Sequence, residues 1–205
     1  MSLRVEFHFD FGSPNAYLSH LVLPGIASRT GVDVEYVPVL LGGVFKATNN
    51  VSPAVSLQGI ANKPAYQELE TRRFLAHHGI TRYARNPHFP VNTLLIMRGA
   101  VYAQLAGFFA RYVDAVYGHM WAEARKMDDV EVVRAALAGS GLPADEIIEG
   151  TQRPDVKRQL VANTEASVAR GVFGSPSFFV GDELFFGKDR LRDVEEEILR
   201  QRAGR

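Results

Sequence analysis

With 205 residues, 46% of them hydrophobic, the chain is long enough for one domain with a proper core, or for one domain carrying a large insertion. Lys plus Arg and Asp plus Glu both number 23, so no net charge exists to gather nucleic acid or an acidic membrane, and a small-molecule site is the default expectation. No cysteine occurs, which excludes disulfides, thiolate metal sites and cysteine nucleophiles and leaves any thiol chemistry to a borrowed thiol. Val5, Phe7 and Phe9 alternate with Glu6, His8 and Asp10 at the period of a strand, and at Ser13-Pro14 the period changes to that of a helix. Serine is a preferred N-cap, and proline suits the first helical position because its missing N–H has no partner there. The Ser13 hydroxyl is therefore expected beside free N–H groups at the positive end of a helix, a place that favours phosphate, carboxylate or thiolate. The plainer alternative is an ordinary capping serine.

The helix continues over residues 15–30, with a kink expected at Pro24-Gly25 and Gly31 just past its end. Residues 32–39 alternate as a second strand, so a parallel βαβ unit opens the chain. The following LLGGVFKATNNVSP is rich in Gly, Asn and Ser, loses hydrophobic periodicity, and reads as a loop open to a ligand. Six helical segments come next, at 63–78, 92–106, 108–126, 129–138, 143–150 and 154–170. The apolar stretch 91–121 is interrupted by Asn92, Arg98, Gln104, Arg111 and Asp114 and reads as core helices, not a membrane span. Strands at 177–181 and 183–186 and an amphipathic helix from Asp189 close the chain. The start has no basic segment followed by an apolar run, so no secretory signal is read and a cytoplasmic location is expected.

A βαβ half and a ββα half around a helical block give an α/β, thioredoxin-like domain with a large all-helical insertion. The expected division is residues 1–42 and 171–205 for the thioredoxin-like domain and 43–170 for the inserted helical domain, site loop included. Thioredoxin-like proteins carry Cys-x-x-Cys at the start of their first helix, and this chain has Ser13, Pro14, Asn15 and Ala16 there. Four separated motifs, FDFGSPNAYL, LLGGVFKATNN, NPHFPVNTLLIMRGA and TEASVARGVFGSPSFFVGDELFFGKDRL, cover essentially the full length. In their order and spacing the chain resembles the glutathione-dependent 2-hydroxychromene-2-carboxylate isomerases, relatives of kappa-class glutathione transferases in the DsbA-like branch.

The resemblance implies glutathione as cofactor, a small aromatic keto acid or its cyclic hemiketal as substrate, a homodimer, and Ser13 as the catalytic hydroxyl that favours the glutathione thiolate. It also implies that Asn50, with Asn49 as the alternative, and Lys63 hold the tripeptide, although Asn50 also reads as a turn residue and Lys63 as a solvated lysine. Ser175 and Pro176 fall where such proteins place a cis-proline, with the Ser175 backbone facing the cysteinyl segment. Lys188 and Asp189 are expected at the γ-glutamyl end, where Asp189 pairs with the α-amino group or caps the last helix. For the organic substrate the candidates are Asn86, His88 and Asn92, with His88 either a proton shuttle or a solvated loop histidine. No metal-ligand spacing occurs, so no metal is expected. A kappa-like transferase and a glutathione-binding protein without turnover remain alternative readings.

Overall fold

The computed structural model describes residues 3–204. β1 (Val5–Phe9) pairs in parallel with β2 (Val34–Pro38) and antiparallel with β3 (Ser177–Val180), and β3 pairs antiparallel with β4 (Glu183–Phe186). The order β2-β1-β3-β4, with helices on both faces, is that of a thioredoxin-like fold with a helical insertion between β2 and β3. α1 (Pro14–Thr30) runs unbroken through Pro24 and ends at Gly31, whose left-handed φ of 63° lets its N–H reach Ala27 O. The last helix, α10 (Leu191–Ala203), packs beside α1 on the same side of the sheet. Under them Phe7 stacks on Phe178 at 5.3 Å and on Phe9 at 5.5 Å, all fully buried, and each such side chain contributes about 1.5–3 kcal/mol by leaving water.

Between β2 and β3 lie α2 (Leu41–Ala47), α3 (Pro53–Ser56), α4 (Lys63–His77), α5 (Leu94–Ala106), α6 (Phe109–Trp121), α7 (Val130–Gly139), α8 (Ala144–Gly150) and α9 (Pro154–Ala169). α2 and α3 replace the irregular loop expected over this stretch. The reason is tertiary capping: Leu40 N–H donates to Thr164 Oγ1 and Leu41 N–H to Asp10 Oδ2, so distant side chains satisfy the start of a glycine-containing helix. Gly43 lies so close to α9 that an added Cβ would meet the Thr164 methyl at 3.2 Å. α6 also stops earlier than expected, at Trp121, because the buried Asn86 amide donates to Met120 O and Arg125 O and closes its end.

The polar residues of β1, Glu6 and His8, and Asp10 just after it are the main departure from simple alternation. All three are as buried as Val5, Phe7 and Phe9: α9 and its end cover Glu6 and His8, whereas Asp10 is enclosed by Gly12, Leu41 and Thr93. His8 bonds Ser167 Oγ on α9 at 2.7 Å and Glu6 Oε2 at 2.7 Å, and Glu6 also pairs with Arg170 at 2.6 Å and Arg4 at 2.9 Å. Burial pushes the His8 imidazole below its ordinary value of 6.5 despite the Glu6 carboxylate beside it. A lowered base binds its proton less readily folded than unfolded, so its contribution is intact above pH 6.5 and is lost as pH falls below it. Thermal scans should accordingly show a falling midpoint below about pH 6.5, and His8→Gln should remove that part of the slope. An unchanged slope in the variant would assign the acid sensitivity elsewhere.

Candidate active site

The Ser13 side chain is 5% exposed and uses both of its bonding capacities. Its Oγ accepts from Ala16 N–H at 3.2 Å, capping α1, and donates to Ser175 O at 2.9 Å. The Ser175–Pro176 peptide is cis, and the Ser175 hydroxyl accepts from Asp10 N–H at 3.1 Å. Ser175 N–H has no acceptor among the described residues, so an unused donor sits one residue before Pro176, next to the Ser13 hydroxyl. The end of β1, the start of α1 and the approach to β3 are thereby tied at one point.

Two more predicted groups join this point through backbone links. Asn50 Nδ2 donates to Phe173 O at 3.0 Å while its Oδ1 accepts from Val51 N–H, and Asn49 takes the left-handed φ of 52° that the turn needs. Gly187 N–H donates to Pro176 O at 3.0 Å, which sets Lys188 and Asp189 beside the cis-proline. Lys188 is 5% exposed, lies 4.8 Å over the Phe74 ring and pairs with Asp189 Oδ1 at 2.5 Å, whereas the Asp189 side chain is 74% exposed. Asp189 precedes α10 but caps no helix N–H with its side chain; α10 is preceded by a short 3-10 turn, Lys188–Arg190.

Other predicted residues lie elsewhere. Lys63 starts α4 on its exposed surface, about 16 Å along the helix from Phe74, with no polar partner among the described residues. Asn86 is 2% exposed, its Nδ2 donates to Met120 O and Arg125 O, and its Oδ1 accepts from the His88 N–H. Asn92 Oδ1 accepts from Leu94 N–H at the start of α5, and the His88 ring is exposed. Among the described residues no group of three metal-binding side chains occurs, and no helix is long and apolar enough to cross a membrane.

Sequence reasoning missed Asp10. Fully buried, it accepts from Gly12 N–H at 2.8 Å through Oδ1 and from Leu41 N–H at 2.7 Å and Thr93 Oγ1 at 3.1 Å through Oδ2. One carboxylate thus fixes the turn before Ser13 to α2 and to the entry of α5. Burial pushes its carboxyl up from the ordinary aspartate value, opposed by those three donors. The available signal was a polar residue directly after an apolar strand and before a Gly turn, where a buried carboxylate has to find partners.

Residues 4–199 match the family described as a DSBA-like thioredoxin domain. The chain belongs to that family. Within it, the resemblance to the isomerases extends over the whole chain. A 2-hydroxychromene-2-carboxylate isomerase of Sphingobium xenophagum is 28% identical, covering 97% of this chain and 100% of that one. The human glutathione S-transferase kappa 1 is 24% identical over 91% of this chain and 87% of its own. A solved 2-hydroxychromene-2-carboxylate isomerase superposes with a TM-score of 0.82 at 27% identity, covering 98% of both chains. In this DSBA-like chain the helix position read as a cysteine position belongs to Ser13, and no cysteine exists to replace it.

Proposed function

We propose that the protein is a glutathione-dependent isomerase that interconverts 2-hydroxychromene-2-carboxylate-like hemiketals and trans-o-hydroxybenzylidenepyruvate-like keto acids. The observation that carries this reading is the Ser13 hydroxyl, held at the α1 N-terminus against the backbone of Ser175 in a DSBA-like chain without cysteine. The donor set fits a thiol tripeptide. The unused Ser175 N–H suits its peptide backbone, the exposed Asp189 carboxylate suits its α-amino group, and Lys188 and Asn50 flank the same loop. When bound, glutathione supplies a thiolate that adds reversibly to a conjugated double bond and allows rotation about it.

The protein's part is to hold and orient. Ser13 turns its O–H from Ser175 O toward the sulfur, and that charge-assisted bond together with the α1 dipole favours the ionised thiol. Ala16 N–H keeps Oγ in place during the turn. Lys188, anchored over Phe74, balances Asp189 until an ammonium group takes its place.

Likeness to kappa-class transferases supports a second reading, conjugation of glutathione to an electrophile. Product analysis with a hydroxychromene carboxylate and glutathione separates them. Isomerised product with glutathione recovered unchanged supports the first reading, a thioether adduct supports the second, and neither product leaves binding without turnover.

A further inference from the structure

Away from the Ser13 site, the end of α6 and the residue that follows α7 bring a carboxylate, an imidazole and a serine hydroxyl into line. His119 bonds Glu123 Oε2 at 3.0 Å through Nδ1 and Ser140 Oγ at 2.8 Å through Nε2. An ionised carboxylate can only accept, so Nδ1 carries the proton of the neutral ring and Nε2 is left to accept from the serine. Arg125 pairs with the same Glu123 at 2.7 Å, and His119 with Arg125 holds its carboxyl below the ordinary glutamate value. The order of groups and the ring nitrogens used are those that general-base activation of a serine requires.

The environment of Ser140 separates it from the other serines. Ser13, Ser19 and Ser177 donate to backbone carbonyls, whereas Ser140 Oγ has no partner but His119 among the described residues. Ser167, His8 and Glu6 make similar contacts, but each is no more than 2% exposed and Ser167 Oγ also donates to Asn163 O. No substrate reaches that set. Ser140 is half-buried, next to the exposed Glu123 and Arg111, and stands between Gly139 and Gly141. A Cβ added at Gly139 would meet nothing within 4 Å, so the backbone leaves room for an incoming acyl group. The end of a helix is its negative pole, and charge developing on an acyl oxygen there needs a cation. Arg111 supplies one: it donates to Gly141 O at 3.0 Å and has no other polar partner among the described residues.

We propose that Ser140, His119 and Glu123 form a second reactive site, independent of glutathione, at which Ser140 takes the acyl group of a small activated ester and passes it to water. Ser140 Oγ bonds to the ester carbonyl carbon while its proton moves to His119 Nε2; the bond from that carbon to the leaving alcohol oxygen breaks, and the alcohol departs with the proton. A water molecule then gives a proton to His119 and its oxygen to the acyl carbon, the carboxylic acid departs, and the proton returns to Ser140 Oγ. Glu123 is the positioning residue, acting through the ring it holds.

The test is incubation of the full chain with p-nitrophenyl acetate in the absence of glutathione. Release of p-nitrophenolate above background is expected, and peptide mapping of acid-quenched samples should place one acetyl group on Ser140. Ser140→Ala should abolish that acetyl group, and both it and His119→Gln should slow release about a hundredfold, the lower end of what a general base contributes. Glu123→Gln should slow release less and move the acid limb of the pH profile to lower pH, because an imidazole without its carboxylate holds a proton less tightly. A purely structural Glu123 would leave that limb in place. A cooperative thermal transition shows that each variant folds, and the position of the acetyl group in the unaltered protein decides the matter without any variant. Acetyl groups on lysines alone, no acetylation at all, or unchanged release by Ser140→Ala would each overturn the proposal.

Discussion

Ser13→Ala is expected to fold and to lose about tenfold to a hundredfold of its activity near neutral pH, with part of the loss recovered as pH rises. The lost bond to a thiolate is charge-assisted and worth roughly 1.5–3 kcal/mol, which moves the ionisation of bound thiol upward by about 1 to 2 pH units. Raising pH restores the thiolate by mass action, so the profile shifts instead of merely shrinking. The α1 dipole survives the substitution, so activity does not reach zero. The same change removes the cap on Ala16 N–H and frees Ser175 O, which costs about 0.5–2 kcal/mol of stability and is visible as a lower melting temperature. Ser13→Cys supplies the check on position: a thiol there should form a mixed disulfide with glutathione under oxidising conditions, a mass gain reversed by reductant. An alanine variant with the wild-type rate and profile would leave Ser13 as a helix cap alone.

Asp10→Ala should be the more damaging change to stability. It takes the acceptor from the buried Thr93 hydroxyl and from the half-buried N–H groups of Gly12 and Leu41, and a loss of about 2–4 kcal/mol is expected from the stranded donors. Against the 5–15 kcal/mol that typically holds a domain together, that is enough to lower the denaturant midpoint severely. The dependence on pH has a definite sign. Because burial raises the Asp10 carboxyl, its stabilising share is fully present below the ordinary value of 3.8 and declines as pH climbs through the raised value. The gap between wild type and variant should therefore be widest in acid and narrow toward neutrality. Urea titrations at several pH values read this directly, and a gap that widens with pH would contradict the account of Asp10.

What the sequence could convey divides along a physical line. Features set by neighbours in the chain were legible: the strand ending before Ser13, the Ser-Pro helix start, Gly31 as the stop of α1, and the closing hairpin and helix. Features set by groups brought from afar were not. The start of α2 is capped by Asp10 and Thr164, residues 31 and 124 positions from the N–H groups they bind, so no local window over Leu41–Ala47 contains the reason for the helix. Asn86 looked free for a ligand because its turn is local, whereas the two carbonyls that claim it lie 34 and 39 residues on. Ser13 was readable as a special position because its cap is local. The resemblance pointed to a cis-proline after Ser175, but that Ser175 O accepts from Ser13, 162 residues away, was not legible in the sequence.

The bond from Ser13 to Ser175 spans 162 residues, which gives the protein a history as well as a geometry. During synthesis at about 5–20 residues per second, roughly ten to thirty seconds separate the two serines leaving the ribosome. Throughout that interval the first helix has its cap but lacks the carbonyl to which its serine donates. A nascent chain cut anywhere before Ser175 keeps the capping bond of Ser13 and never gains the long-range one.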